Sequence, residues 1–101
     1  MAEELYETVN VRVKFFTTLR ELTGKAEETV NLPKGSTVGN LLDELSRRYG
    51  PKFVEYVFDK GEVKPYLIVM VNGKSINALD GLKTVLEENS TVAILPPAGG
   101  G

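Results

Sequence analysis

The stretch that decides the fold is VGNLLDELSRRY, residues 38–49, near the middle of the 101-residue chain. Its apolar positions recur every three or four residues and therefore lie along one stripe of an α-helix. They are Val38, Leu41, Leu42, Leu45 and Tyr49. Ser36 or Thr37 can cap the first turn, and Gly50-Pro51 ends the helix. A helix with one apolar stripe needs an apolar surface to cover, so a sheet is expected around it.

Two strands are predicted before this helix. In residues 9–15 the apolar side chains fall on alternate positions, which is the two-residue period of a half-buried strand. Residues 28–32 alternate again and are followed by Pro33 and Gly35. The two segments together predict an N-terminal hairpin.

Further strands are predicted after the helix. The pattern of residues 53–58 is ambiguous and is compatible with a short helical turn that adds aromatic side chains to the core. Residues 66–71 are a continuous apolar run before Asn72-Gly73, which is typical of a strand that is covered on much of both faces or lies centrally in a sheet. A short strand near residues 75–77, a turn at Asp80-Gly81 and a last strand near residues 91–95 complete the order.

This order of elements predicts an α+β fold of the β-grasp, ubiquitin-like kind, a roll in which a mixed sheet carries one main helix on one face. A chain of this length has room for a single core of modest size. The domain is expected to span residues 9–95. An N-terminal extension of residues 1–8 precedes it, and a flexible C-terminal tail of residues 96–101 follows it.

Composition narrows the functions that remain. The formal net charge of -2 gives no electrostatic reason to expect nucleic acid as a partner. The chain has no cysteine and no histidine, so thiolate nucleophiles and the usual general base are missing, and no metal site is expected. No apolar run approaches the roughly 20 residues of a membrane helix, and the first residues lack the pattern of a secretory signal. The predicted location is the cytoplasm, without membrane contact.

The chain ends in PPAGGG, residues 96–101, directly after the last predicted strand. The prolines cannot continue a hydrogen-bonded strand and favour an extended backbone, so we expect them to direct the end away from the domain. The glycines carry no side chain, so the terminal carboxylate could enter a channel too narrow for other residues. This pattern indicates a delivery arm; the alternative is a frayed chain end without chemistry.

Four motifs occur along the chain in a fixed order. They are FFTTLRELTG at residues 15–24, LPKGSTV at residues 32–38 with Leu41-Leu42, Val71-Asn72-Gly73, and TVAILPP at residues 91–97 with the closing Gly100-Gly101. In this order they resemble the small subunit of molybdopterin synthase and the related thiamine-type sulfur carriers, from Val9 onward. The chain departs from that pattern in its N-terminal extension, in a longer stretch around Lys60-Gly61-Glu62, and at Gly99.

The resemblance implies what the tail does. In that family a ubiquitin-activating-type adenylyltransferase uses ATP to adenylate the C-terminal glycine. The glycine then becomes a thiocarboxylate, from which the large molybdopterin synthase subunit takes sulfur to build molybdopterin. Gly101 is accordingly the expected reactive residue, and Gly99 and Gly100 are expected to line the partner's channel. The chain itself is expected to bind no cofactor and to have no active site of its own, acting as the carrier subunit of a molybdopterin synthase-type complex.

A carrier also needs a docking surface, and four residues are predicted to contribute to it. Phe16 and Leu95 are out of phase with the core-facing positions of their strands, and Ile76 follows the turn at Asn72-Gly73. The three are expected to form an apolar patch near the tail. Arg20 is expected to pair with an acidic group of the partner. The alternative is that these side chains fill the second side of a strand or are isolated surface residues.

Three functions stay open at this point. The first is a sulfur carrier for the molybdopterin of a molybdenum or tungsten cofactor. The second is a ubiquitin-like modifier of target-protein lysines or a sulfur carrier for tRNA thiolation, since the same activated tail would serve either. The third is a ubiquitin-like interaction domain without tail chemistry, which would keep its function after removal of Gly100-Gly101.

Overall fold

The computed structural model describes residues 7–96. Its first strand, β1, spans Thr8–Phe15 and pairs with two other strands of the sheet. Every second residue of β1 is buried, as the alternation in the sequence predicts. β1 pairs antiparallel with β2, Glu27–Pro33, and the predicted pairing of the first two strands is confirmed. On its other side β1 pairs in parallel with the last strand, Ser90–Leu95.

This last strand is numbered β7, because four further strands lie between it and β2 along the chain. β3, Phe58–Asp59, and β4, Glu62–Val63, form a small antiparallel pair of their own. β5, Ile68–Val71, and β6, Lys74–Ser75, join the main sheet.

The main sheet is mixed, and its strand order is β2-β1-β7-β5-β6. β5 is antiparallel to both of its neighbours, β7 and β6. The sheet is mixed because β1 and β7 are parallel. This topology, with the main helix packed on one face, is the predicted ubiquitin-like β-grasp roll.

In the part of the chain that the structure describes, three α-helices accompany the sheet. They are α1, Thr18–Thr23, α2, Val38–Tyr49, and α3, Pro51–Val57. The position of α2 matches the sequence prediction, and α3 shows that residues 53–58 are helical up to Val57. α1 was not expected, because six residues are too few to show a helical period. Within residues 7–96, no helix is long and apolar enough to cross a membrane.

A capping box begins α2. The amide of Asn40 donates to the Thr37 hydroxyl at 3.2 Å, and the amide of Thr37 donates to the Asn40 side-chain oxygen at 2.9 Å. Thr37 is therefore the N-cap, whereas the Ser36 hydroxyl donates to the carbonyl of Pro33 at 2.6 Å. These bonds satisfy amides that would otherwise have no partner in the first turn.

The apolar stripe of α2 and the inner face of the sheet enclose one core. Its fully buried side chains include Val11, Val13, Phe15, Val30, Val38, Leu41, Leu42, Leu45, Phe53, Val57 and Val92. Periodicity in the sequence identifies the core positions on β1, β2 and α2, because burial requires one apolar stripe on the helix and one apolar face on each strand. It did not identify Phe53, Val57 or Val92.

The structure differs from the sequence prediction after α3. The strand predicted at residues 66–71 begins only at Ile68, and Tyr66 is exposed. The amide of Leu67 donates to the carbonyl of Lys64 at 3.1 Å, so residues 64–67 form a turn before the strand. β5 lies inside the sheet, but coverage of both faces is wrong, because Leu67, Val69 and Val71 are buried whereas Ile68 is only partly buried.

The short strand predicted near residues 75–77 is replaced by a helical turn. β6 ends at Ser75, whose hydroxyl accepts a hydrogen bond from the amide of Asn77 at 3.2 Å. That bond begins a 3₁₀ helix, Ile76–Ala78, and a second 3₁₀ helix follows at Gly81–Lys83.

Candidate functional site

The strand that precedes the tail lies inside the sheet. β7 lies between β1 and β5, and its last residue, Leu95, pairs with Ile68. The preceding residue, Ile94, pairs with Phe15 at the end of β1. The predicted reactive and channel residues Gly99, Gly100 and Gly101 lie outside the described residues.

The face of the sheet opposite α2 carries partly buried apolar side chains at this end. We call them the outer-face patch: Phe16, Ile68, Met70, Ala93 and Leu95. Strand pairing places Leu95 beside Ile68, and Ala93 beside Met70. Phe16 follows Phe15, which is buried on the opposite face, so alternation directs Phe16 toward the patch. The patch is therefore a continuous surface next to the point where the tail begins.

Three of the four predicted docking residues are at least partly exposed in the described structure. Phe16 and Leu95 are partly buried members of the outer-face patch, and Arg20 is exposed on α1. The placement of Ile76 on the surface is wrong, because its side chain is only 7% exposed and belongs to the core. The helical turn that begins at Ser75 explains this burial, since it replaces the expected strand.

Ile68 and Met70 belong to the patch but were not predicted. A signal for them was present, because they alternate with Leu67, Val69 and Val71 in the same apolar run. Phe16 and Leu95 were selected because they are out of phase with the core-facing positions of their strands. Ile68 and Met70 meet the same condition once the structure shows which face of β5 is covered. A wholly apolar run does not reveal by itself which phase faces the core.

Basic side chains border the patch along β1. Lys14 pairs with Ala93, and Arg12 pairs with Thr91 one row further along the sheet. Arg12 lies 3.6 Å from a carboxylate oxygen of Glu27, and both side chains are more than half exposed, so solvent weakens this ion pair. The patch thus combines an apolar centre with exposed cations, a combination that complements a partner with an apolar contact and acidic groups beside it.

A polar cluster lies on the α2 side of the sheet, where β2 meets the end of α2. The Glu28 side chain on β2 is 9% exposed and accepts hydrogen bonds from the Tyr49 hydroxyl and from the Arg48 guanidinium. The ammonium of Lys25 lies 3.8 Å from the same carboxylate. Burial, and then the hydrogen bond to Glu28, raise the pKa of Tyr49 to about 12. The cluster ties β2 to the C-terminal end of α2.

Comparison with known proteins identifies the family. The chain matches the model of the ThiS family over residues 13–101. It belongs to the ThiS family. The match extends to the last residue, so the terminal glycines lie inside the region that the family shares.

Relatives of this ThiS-family chain carry two kinds of names. Small archaeal modifier protein 3 of Haloferax volcanii is 33% identical over 93 residues, which cover 92% of this chain and 100% of that protein. The molybdopterin synthase sulfur carrier subunit of Drosophila ananassae is also 33% identical over 93 residues, covering 92% of each chain. The solution structure of small archaeal modifier protein 1 from Methanosarcina acetivorans has a TM-score of 0.79 at 30% identity and covers 94% of this chain and 99% of that one.

The family and the fold together establish the broad class. The chain is a ThiS-type sulfur carrier with a ubiquitin-like fold. This finding disfavours the third hypothesis, an interaction domain without tail chemistry. The names of the relatives divide between molybdopterin synthase subunits and archaeal modifiers.

Proposed function

We propose that this ThiS-family protein is the small subunit of a molybdopterin synthase and that Gly101 carries sulfur as a thiocarboxylate for molybdopterin. The observation that carries the proposal is the position of Leu95. It ends a central strand and is itself part of the outer-face patch, so the chain leaves the domain beside a surface suited to docking. A partner bound to this surface would receive the tail without any rearrangement of the domain.

The chemistry at the tail would proceed in two steps. An adenylyltransferase joins the Gly101 carboxylate to the AMP portion of ATP and releases pyrophosphate. Hydrosulfide from the sulfur donor then attacks the carbonyl carbon. The new carbon–sulfur bond replaces the carbon–oxygen bond to AMP, and AMP leaves with the oxygen that it had gained. The chain supplies no cysteine or histidine for these steps, so the activating enzyme must provide the acid-base groups. Gly99 and Gly100 contribute by having no side chain to obstruct the partner's channel.

Docking would use the outer-face patch and its basic border. Phe16 and Leu95 would supply apolar area, and Arg20 would pair with an acidic group on the partner. Interfaces of this kind gain affinity from a few well-buried apolar anchors, while charges at the rim mainly accelerate association.

Intact-mass spectrometry tests the carrier chemistry. The full chain and a variant lacking Gly101 are each incubated with a cognate adenylyltransferase, ATP and a sulfur donor. We expect the full chain to gain the mass difference between sulfur and oxygen at its C-terminus, and the truncated chain to gain nothing. If neither an adenylate nor a thiocarboxylate forms where a control carrier reacts, the proposal is wrong.

Two substitutions test the docking surface. Phe16→Asp and Leu95→Asp should each abolish co-purification with the adenylyltransferase while leaving the circular dichroism spectrum unchanged. Val85→Asp is a matched control, because Val85 is 51% exposed and lies near Glu7 and Thr8, at the opposite end of β1 from Phe16. Undiminished binding of both patch variants would remove the patch from the proposal.

A second candidate function is that of a ubiquitin-like protein modifier. It is favoured by the similarity to small archaeal modifier protein 3, which covers that protein completely. Reconstitution separates the two functions: a synthase subunit forms molybdopterin when its thiocarboxylate meets the large subunit and the precursor, whereas a modifier forms isopeptide-linked adducts on lysines of target proteins. A carrier for tRNA thiolation would do neither and would transfer its sulfur to tRNA with a thiolating enzyme.

A further inference from the structure

The backbone of Thr17 has an unusual conformation directly beside the outer-face patch. Its φ is 47° and its ψ is -116°, a combination that is sterically unfavourable for a residue with a branched β-carbon. The amide of Leu19 donates to the carbonyl of Phe16 at 3.1 Å, so residues 16–19 form a tight turn with Thr17 in its second position. Turns with this geometry normally place glycine there.

Anchors on both sides of Thr17 keep it in this conformation. Phe15 before it and Leu19 after it are buried, and the amide of Phe15 donates to the carbonyl of Ala26 at 2.9 Å. The Thr17 carbonyl accepts from the amide of Glu21 at 3.1 Å, which extends the turn into α1. Within the described residues, the Thr17 side chain makes no capping hydrogen bond.

Glycine stands at other positions of this chain where φ is positive. Gly24, at the end of α1, has φ 77°, and Gly35, before α2, has φ 90°. A glycine at position 17 would relieve the strain in the same way. Strained backbone that is retained in this way is concentrated at functional sites.

We propose that Thr17 is a positioning residue that holds Phe16 and Arg20 in the relative arrangement that the partner binds. This inference rests on the proposed docking function of the outer-face patch. Phe16 directly precedes Thr17 and Arg20 follows three residues later, so the dihedral angles of Thr17 set the angle between the end of β1 and α1. While the anchors hold the turn, the branched side chain of Thr17 leaves fewer neighbouring backbone conformations accessible than glycine would, so the partner has less entropy to remove on binding.

The Thr17→Gly variant of the full chain tests the proposal, because stability and binding should change in opposite directions. The midpoint of urea unfolding should rise, since the strain is relieved. Affinity for the adenylyltransferase, measured by calorimetry, should weaken about two- to fivefold because glycine frees the backbone on either side of the turn. Thr17→Asn should keep nearly wild-type affinity, since asparagine tolerates positive φ and still restricts the backbone.

Two further variants make the result specific. Asn89→Gly is the control, because Asn89 also has a positive φ, 64°. Its amide donates to the carbonyl of Asn10, at the end of the sheet far from Phe16. The Asn89→Gly variant should bind the adenylyltransferase as tightly as the wild type. If Thr17→Gly binds as tightly as the wild type, or loses stability together with affinity, the proposal is overturned. If Phe16→Asp also leaves binding unchanged, the docking function itself has failed; if Phe16→Asp abolishes binding, only the role of Thr17 has failed.

Discussion

Phe15 and Tyr49 meet edge to face, with ring centroids 6.0 Å apart and ring planes at 84°. The contact joins the end of β1 to the last residue of α2. The Tyr49 hydroxyl continues this connection by donating to Glu28 on β2. Phe16 directly follows Phe15, so this contact supports the outer-face patch from inside the domain.

Tyr49 should make the free energy of unfolding decrease between about pH 10 and pH 12. Its folded-state pKa is raised to about 12, whereas an unfolded tyrosine has a pKa of about 10. A group whose folded pKa is the higher one stabilises the protein below the unfolded pKa, and this contribution is lost as the pH rises through the folded pKa. The melting temperature of the wild type should therefore fall relative to that of Tyr49→Phe across this window.

Tyr66→Phe provides the control for this titration, because Tyr66 is 53% exposed. Its melting temperatures should follow those of the wild type at every pH. A Tyr49→Phe curve that stays parallel to the wild-type curve from about pH 10 to pH 12 would show that Tyr49 does not contribute to the alkaline transition.

Removal of the cap of α2 should destabilise the domain. Thr37→Ala removes the hydroxyl that accepts from the Asn40 amide, and we expect a loss of about 1 kcal/mol in urea unfolding. Ser46→Ala is a matched control on the same helix, where the hydroxyl donates to the carbonyl of Leu42 at 2.8 Å. Because alanine favours the helix interior, Ser46→Ala should be neutral or slightly stabilising. Equal effects of the two variants would contradict the role of the cap.

The turn between β5 and β6 should require glycine at position 73. Asn72 has φ 51° and Gly73 has φ 86°, so both central residues are in the left-handed region. Gly73→Ala should cost about 1–2 kcal/mol, because a β-carbon approaches the backbone in this conformation. Lys74→Ala, one residue further on an exposed position, should change stability by less than about 0.5 kcal/mol. Thermal denaturation of the two variants measures the difference, and a tolerated Gly73→Ala would refute the assigned turn.

The core beneath α2 should be sensitive to loss of volume. Leu45 is fully buried in the apolar stripe, and Leu45→Ala should destabilise the domain by about 2–5 kcal/mol through lost burial and a remaining cavity. Val54→Ala on α3 is the control, since Val54 is 39% exposed and should cost less than about 1 kcal/mol. Chemical denaturation of both variants tests the expected ranking, and a reversed order would contradict the placement of α2 over the core.

Periodicity predicted the parts of the fold that are long enough to show a pattern. The stripe of α2 and the alternation of β1 identified core positions correctly, because burial depends only on which residues share a face. The motifs along the chain pointed to the family that the ThiS match confirms. α1 was missed because six residues hardly exceed one and a half helical turns.

The error at Ile76 has a different cause. A strand of two or three residues has no measurable phase, and the hydrogen bond from the Asn77 amide to the Ser75 hydroxyl begins a helical turn instead. Burial of Ile76 in the core then favours this local conformation. Tertiary packing commonly outweighs the preference of so short a segment.

The sequence by itself determined that a glycine tail without side chains follows the last strand, since that order is covalent. Only the tertiary structure decided which surface residues surround Leu95, the last residue of the strand before the tail. Hydrogen bonds between distant segments place β7 between β1 and β5, and they bring Phe16, Ile68 and Leu95 together although these residues lie far apart in the chain. The sequence pattern predicted the pairing of β1 with β2, which follow each other along the chain, but not the pairing of β7 with β1 and β5, because the backbone groups that pair distant strands are the same in every residue.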